Sequence, residues 1–195
     1  KYMDKDAIIA YDPQLFTTRS LQNFTAINLQ DYPDNLIDAV WHDQAERPKS
    51  SIYDYPLKYT GEDYMNKIEK CRNVLENNLA EGLAVTDAAS VCWLLNIRAH
   101  DVEFSPLLLA NAIITKKQIY LFVDSKRITK PLAREGMIIL PQKELVNVIA
   151  TIQGIILFDE SEASSYITTL IKSKKHKHIK NPCSLWKACK NDIEI

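Results

Sequence analysis

Residues 83–124 constrain the fold more than any other part of this 195-residue chain. Residues 83–85 form an apolar run the length of a short buried strand. Asp87 stands where an N-cap belongs, ahead of the helical sequence 88–95. Two further apolar runs, 110–115 and 118–123, are separated only by Lys116-Lys117 and read as a hairpin. A hairpin sets its strands antiparallel, whereas a strand that returns through a helix lies parallel to the next. The combination predicts the α/β class, with a mixed β-sheet flanked by helices on both faces.

The rest of the chain continues the alternation. Strands are expected at 137–140 and 155–158, helices at 142–152 and 164–172, and an edge strand at 176–179. Upstream, Thr60 is placed to cap a long helix whose apolar positions Tyr64, Ile68, Cys71, Leu75 and Leu79 recur every three or four residues. Further upstream, residues 7–10 read as a strand. Asp12 is the expected N-cap and Pro13 the first residue of a helix over 14–23. An extended piece at 26–29 and a short helix at 34–41 follow. This unit of about forty residues is too small for a core of its own, so it is expected to expose apolar surface and to pack on its neighbour. The organisation read from these elements is a remnant of an earlier domain (1–45), a Pro-containing linker (46–59), a second domain (60–182) and a lead-in to whatever follows (183–195).

Composition excludes several classes. The net charge of −1 offers no field for nucleic acid or an anionic membrane, and no apolar run is long enough to span a bilayer. The first residues do not form a signal peptide, and a chain that begins with Lys reads as part of a longer one. Cys71, Cys92, Cys183 and Cys189 lack paired zinc-site spacing and read as reduced thiols, which points to the cytoplasm. With four glycines, none spaced for phosphate, and neither a Gly-x-Ser-x-Gly elbow nor an HExxH pair, nucleotide-dependent and common hydrolytic chemistries have no support.

Three constellations admit chemistry. Asp87, Asp124 and Asp159 end strands, where carboxylates can share divalent ions; capping of the following helices outweighs that reading. The run 172–178 is a compact basic patch, better explained as a solvated helix end and a lysine-protected edge strand than as a phosphate grip. His176 and His178 share a strand face but have no third ligand in view. The loop 96–101 is unusually polar. Either Arg98 and Asp101 pair and the loop is merely well packed, or Asn96 and Arg98 face a cleft shared with another domain.

Trp93-Leu94-Leu95-Asn96-Ile97-Arg98, followed by Asp101-Val102 and Pro106, resembles the middle domain of the Xaa-Pro aminopeptidases, which belong to the creatinase/prolidase superfamily. Residues 112–115 and 121–124 are similar to the two strands that follow in that family. Tyr11-Asp12-Pro13-x-Leu15, Asn35-Leu36-Ile37-Asp38-Ala39-Val40-Trp41, Tyr59-Thr60-Gly61-Glu62 and Lys187-Ala188-Cys189-Lys190-Asn191-x-Ile193-Glu194 resemble further family segments in the same order. Ala99 departs from the usual glycine, which puts the local path of the loop in question.

The resemblance implies a creatinase-like, ribonuclease-H-like α/β domain preceded by the end of a similar one. It also implies a parent hydrolase that removes the residue preceding proline by means of two divalent ions, typically manganese, held in a catalytic domain beyond residue 195. On that reading this chain carries no catalytic or metal residue and is inactive alone, and Asn96, Arg98 and Asp101 line the substrate cleft. The implied partners are the catalytic domain, a peptide with proline in second position and a second copy in a homodimer, with no nucleic acid and no membrane. The rival expectation is a standalone α/β binding module without enzymatic activity.

Overall fold

The apolar runs become a six-stranded sheet because each alternates two buried faces. The computed structural model describes residues 6–32, 34–132 and 134–195. Its first strands and helices are β1 (Ile8–Tyr11), α1 (Thr18–Leu21), β2 (Asn28–Asp31), α2 (Leu36–Val40), β3 (Tyr53–Asp54), α3 (Leu57–Thr60) and α4 (Tyr64–Asn77). Then come β4 (Ala80–Val85), α5 (Ala88–Leu95), β5 (Ile97–Arg98), β6 (Asn111–Thr115), β7 (Ile119–Phe122) and β8 (Met137–Leu140). The chain finishes with α6 (Leu145–Thr151), β9 (Ile155–Phe158), α7 (Ser165–Lys172), β10 (His176–His178) and α8 (Pro182–Ala188).

The large sheet has the order β10-β9-β4-β6-β7-β8. Its β4–β6 and β6–β7 pairs are antiparallel and the others parallel. The hairpin reverses β7 on β6, and α7 returns β10 parallel to β9. By contrast β4 and β6, although joined through α5, lie antiparallel, contrary to the simple helical-return expectation. Successive side chains point to opposite faces. Leu83, Ile114 and Leu121 thus join Ile68, Leu75, Val91 and Leu95 of α4 and α5 in one core. Ile113, Phe122, Ile156 and Phe158 join Val148, Ile149, Ile167 and Ile171 of α6 and α7 in the other. The mixed sheet with helices on both faces is the architecture that the sequence predicts, and β10 is its lysine-bearing edge.

Residues 8–31 build a separate two-stranded parallel sheet, β1 with β2. It docks through backbone groups: Ser165 and Tyr166 donate their N–H to the carbonyls of Phe16 (2.7 Å) and Pro13 (2.9 Å). These carbonyls occupy donors that the first turn of α7 leaves free. Leu15, Leu36 and Ile37 remain exposed and line an open apolar cavity of about 480 Å³.

Two helix starts differ from the sequence reading. Residues 13–15 form a turn, in which Asp12 accepts the Gln14 N–H at 2.8 Å, and the helix begins only where Thr17 caps Ser20. Thr60 ends α3 rather than opening α4, whose N-cap is Asp63, accepting from Met65 at 2.8 Å. The reason is Gly61, which reverses the chain at φ +66° and so separates the two helices.

Asn191 closes on this turn, donating to the Thr60 carbonyl at 2.9 Å, and a Cβ on Gly61 would overlap its side-chain amide. Gly61→Ala is therefore expected to cost about 1–3 kcal/mol through left-handed strain and this clash. It should also raise the protease sensitivity of residues 189–195. An unchanged urea midpoint with unchanged proteolysis would contradict this account.

Candidate functional site

The motif Trp93–Arg98 marks the C-terminal end of α5, where the last carbonyls of a helix lack internal partners and the dipole is negative. Three cationic side chains converge there. Lys67 of α4 donates to the Trp93 carbonyl (2.9 Å) and to Asn96 Oδ1 (2.8 Å). Arg98 donates through Nη1 to the carbonyls of Cys92 (2.7 Å) and Ile97 (2.8 Å). Arg134 donates to the carbonyls of Leu95 (3.0 Å) and Asn96 (3.2 Å) and pairs with Asp54 at 2.7 Å.

Each cation also lies over an aromatic face: Lys67 over Trp93 at 4.1 Å, Arg98 over Tyr55 at 4.5 Å and Arg134 over Tyr64 at 4.5 Å. Ring quadrupoles stabilise cations withdrawn from water, and Lys67 is only 1% exposed. Burial is the main reason that its ammonium is lowered from 10.5 to about 8. Glu62 and Glu194 raise it, while Arg98 and Lys70 lower it further.

Asn96 is the hinge of this arrangement. It sits at φ +48°, ψ +46° as the α5 C-cap, a left-handed conformation that asparagine tolerates better than most residues. Its amide donates to the Glu62 carbonyl at 2.9 Å while its oxygen accepts from Lys67. Left-handed backbone is therefore carried by Asn96, and Ala99 is not among the residues at positive φ. Alanine is compatible with its place in the loop.

Asp101 does not pair with Arg98. Its partner is Arg127, and it also accepts from Ser50 Oγ (2.7 Å) and the Leu109 N–H (2.8 Å). Burial alone would raise its carboxyl, but these donors outweigh it and hold it below the usual carboxylate range. Arg127 also donates to the Ser50 carbonyl at 2.9 Å, and Tyr53-Asp54 of β3 pairs with Ile97-Arg98 of β5. Part of the stretch read as a linker is thereby fastened to the loop. The sequence reading missed Lys67, Arg127 and Arg134. For Lys67 a signal existed: it lies three residues after Tyr64, on the apolar stripe of α4, where a charge is buried only with partners.

The strand-end carboxylates act as caps and clamps. Asp87 accepts from Ser90 N–H (2.8 Å) and Lys187 (3.1 Å), and Asp124 accepts from Lys126 N–H (3.0 Å). Asp159 accepts from the Ser161 and Asn181 N–H groups, both at 2.9 Å. Committed in this way, they do not fit an implied two-metal centre. Among the described residues no group of three His, Cys, Asp or Glu side chains could hold an ion. Likewise, no helix among them is long and apolar enough to cross a membrane.

Lys67 gives a pH dependence of definite sign. Between pH 8 and 10.5 the unfolded chain holds its proton and the folded chain does not, so stability rises with pH in that window. The expected rise is on the order of 3 kcal/mol, absent from Lys67→Met and flat below pH 8. Identical pH profiles for the two proteins in urea unfolding would refute it.

Known proteins resemble this chain over nearly its whole length. A Laccaria bicolor protein, "Probable Xaa-Pro aminopeptidase P", is 26% identical over 99% of this chain and 31% of its own length. The Drosophila melanogaster "Xaa-Pro aminopeptidase ApepP" is 27% identical over all of this chain and 34% of its own. The chain thus spans about a third of the length of the curated relatives it matches. Among solved structures, an X-prolyl aminopeptidase from Caenorhabditis elegans, described as a cytosolic enzyme with a di-nuclear active site, superposes with a TM-score of 0.86. It has 21% identity and covers 98% of this chain and 34% of that one. Residues 43–194 match the model of the creatinase/prolidase N-terminal domain. The six-stranded mixed sheet and the Asn96 node therefore belong to a member of the creatinase/prolidase N-terminal domain family.

Proposed function

We propose that this chain is the non-catalytic N-terminal region of a metal-dependent Xaa-Pro aminopeptidase. In this reading residues 1–45 end one creatinase-like domain, 46–59 link it, 60–182 form the second and 183–195 lead into the catalytic part. The observation that carries it is coverage. Xaa-Pro aminopeptidases align with 96–100% of the chain while extending to about three times its length.

The whole protein would act in the cytoplasm, and divalent ions, manganese by family precedent, would be held by residues outside this chain. The substrate would be a peptide with proline second, and a homodimer is the assembly that the reading favours. The role of this region is then architectural. Its buried clamps fix where the polypeptide enters the domain, at 50–60, and where it leaves, at 189–194.

Asn96, Arg98 and Asp101 serve that role by shaping the wall of the cleft, since their polar groups are bonded within the fold. The complete gene product is expected to release the first residue of an Xaa-Pro peptide in a divalent-metal-dependent manner, and residues 1–195 alone to release none. Cleavage by the isolated chain would sink the reading. Arg98→Ala should lower stability by about 1–3 kcal/mol by taking a donor from the Ile97 carbonyl and leaving the Cys92 carbonyl with only the Asn96 N–H, with the KM of the complete enzyme within about twofold of wild type. A large rise in KM at unchanged stability would instead place Arg98 on the substrate.

A further inference from the structure

Phe104 stands at the tip of the loop between β5 and β6, 98% exposed, with its backbone at φ +59°. The turn is closed by the Ser105 N–H on the Val102 carbonyl at 3.1 Å. A positive φ at the third position of such a turn is where glycine or asparagine belongs. Among the described residues the two other non-glycine residues at positive φ, Leu79 and Asn96, end α4 and α5, where left-handed residues are ordinary. Phe104 has no such helix to terminate. A large apolar ring held in left-handed backbone and given to solvent costs free energy that nothing in this fold returns.

The base of the loop is rigid. Asp101 ties its two ends together through the Leu109 N–H (2.8 Å) and, by its own N–H, the Leu107 carbonyl (3.1 Å). Leu108 is buried against Cys92, with its N–H on Sγ at 3.2 Å. Above that base Val102 (38%), Phe104 (98%) and Leu109 (51%) expose apolar side chains, with the exposed Glu103 beside Phe104. A preorganised apolar tip is the form of an interface anchor, because little conformational entropy remains to be lost on docking.

We infer that Phe104 is a docking knob that seats its ring in an apolar pocket on the rest of the polypeptide chain, the part that lies outside residues 1–195. This rests on the function proposed above. The choice of occupant follows from length: relatives that match this chain throughout carry about twice as much protein again outside the match. A covalently linked partner also meets the knob at high effective concentration, so one ring and its rim suffice.

The test compares Phe104→Gly, Phe104→Ala and Phe104→Tyr in the 195-residue chain and in the complete gene product. In the short chain all three are expected to unfold at or above the wild-type temperature, glycine highest, because the ring buries nothing and glycine relieves the turn. In the complete protein, Gly and Ala should uncouple this region from the remainder. A single calorimetric transition then splits in two, and kcat/KM on an Xaa-Pro peptide falls about tenfold, while Tyr keeps both properties. Unsplit transitions in the Gly and Ala proteins would overturn the knob. So would a Phe104-dependent dimer of the short chain in sedimentation, which would assign the ring to a second copy. Calorimetry judges the contact even if the wild-type protein cleaves no Xaa-Pro peptide, an outcome that would refute the proposed function instead.

Discussion

Lys67, Arg98 and Arg134 end on carbonyls of the last turn of α5 and of Asn96 and Ile97 beyond it, and the rest of the domain is arranged around that convergence. Three positive charges close together repel one another. Four features offset the repulsion here: the negative end of the α5 dipole, an aromatic face beneath each cation, the Asp54 carboxylate on Arg134, and Glu62 and Glu194 near Lys67. Breaking one member would withdraw a donor from these carbonyls. Cys92, Trp93 and Asn96 would keep a backbone donor, whereas a carbonyl left with none would cost more than the bond itself contributes. The node therefore behaves as a unit.

Through it, segments far apart in sequence are joined. Glu62 at the start of the domain meets Asn96, β3 pairs with β5, and Asn191 near the end of the chain holds the Thr60-Gly61 turn. The family-like motifs around Gly61, Asn96 and Asn191 thus become one structural site. Residues 50–60 and 189–194 are clamped to the same scaffold, which suits the architectural role proposed above. The Asp101–Arg127–Ser50 clamp extends the same logic along the loop toward Phe104.

The α/β class, the hairpin, the capped helix α5 and the edge strand β10 were legible from residues, because each follows from local periodicity and capping chemistry. Local rules failed where a distant partner intervened. Thr60 looks like an N-cap until Gly61 turns the chain and Asp63 takes the role. Asp12 and Pro13 look like a helix start, but Phe16 and Pro13 turn their carbonyls toward α7, and the helix waits for Thr17. Arg98 and Asp101 are three residues apart and oppositely charged, yet each bonds elsewhere.

What the sequence alone determined was the order of strands and helices, the two-faced core and the family likeness carried by Trp93–Arg98, since all are properties of neighbouring residues. Only the tertiary structure decided which charges meet. It buried Lys67 under Trp93, gave Asp101 to Arg127 rather than Arg98, closed Asn191 onto Gly61, and left Phe104 strained and uncovered. Those outcomes depend on approaches between residues tens of positions apart, and no local pattern encodes the distance between them.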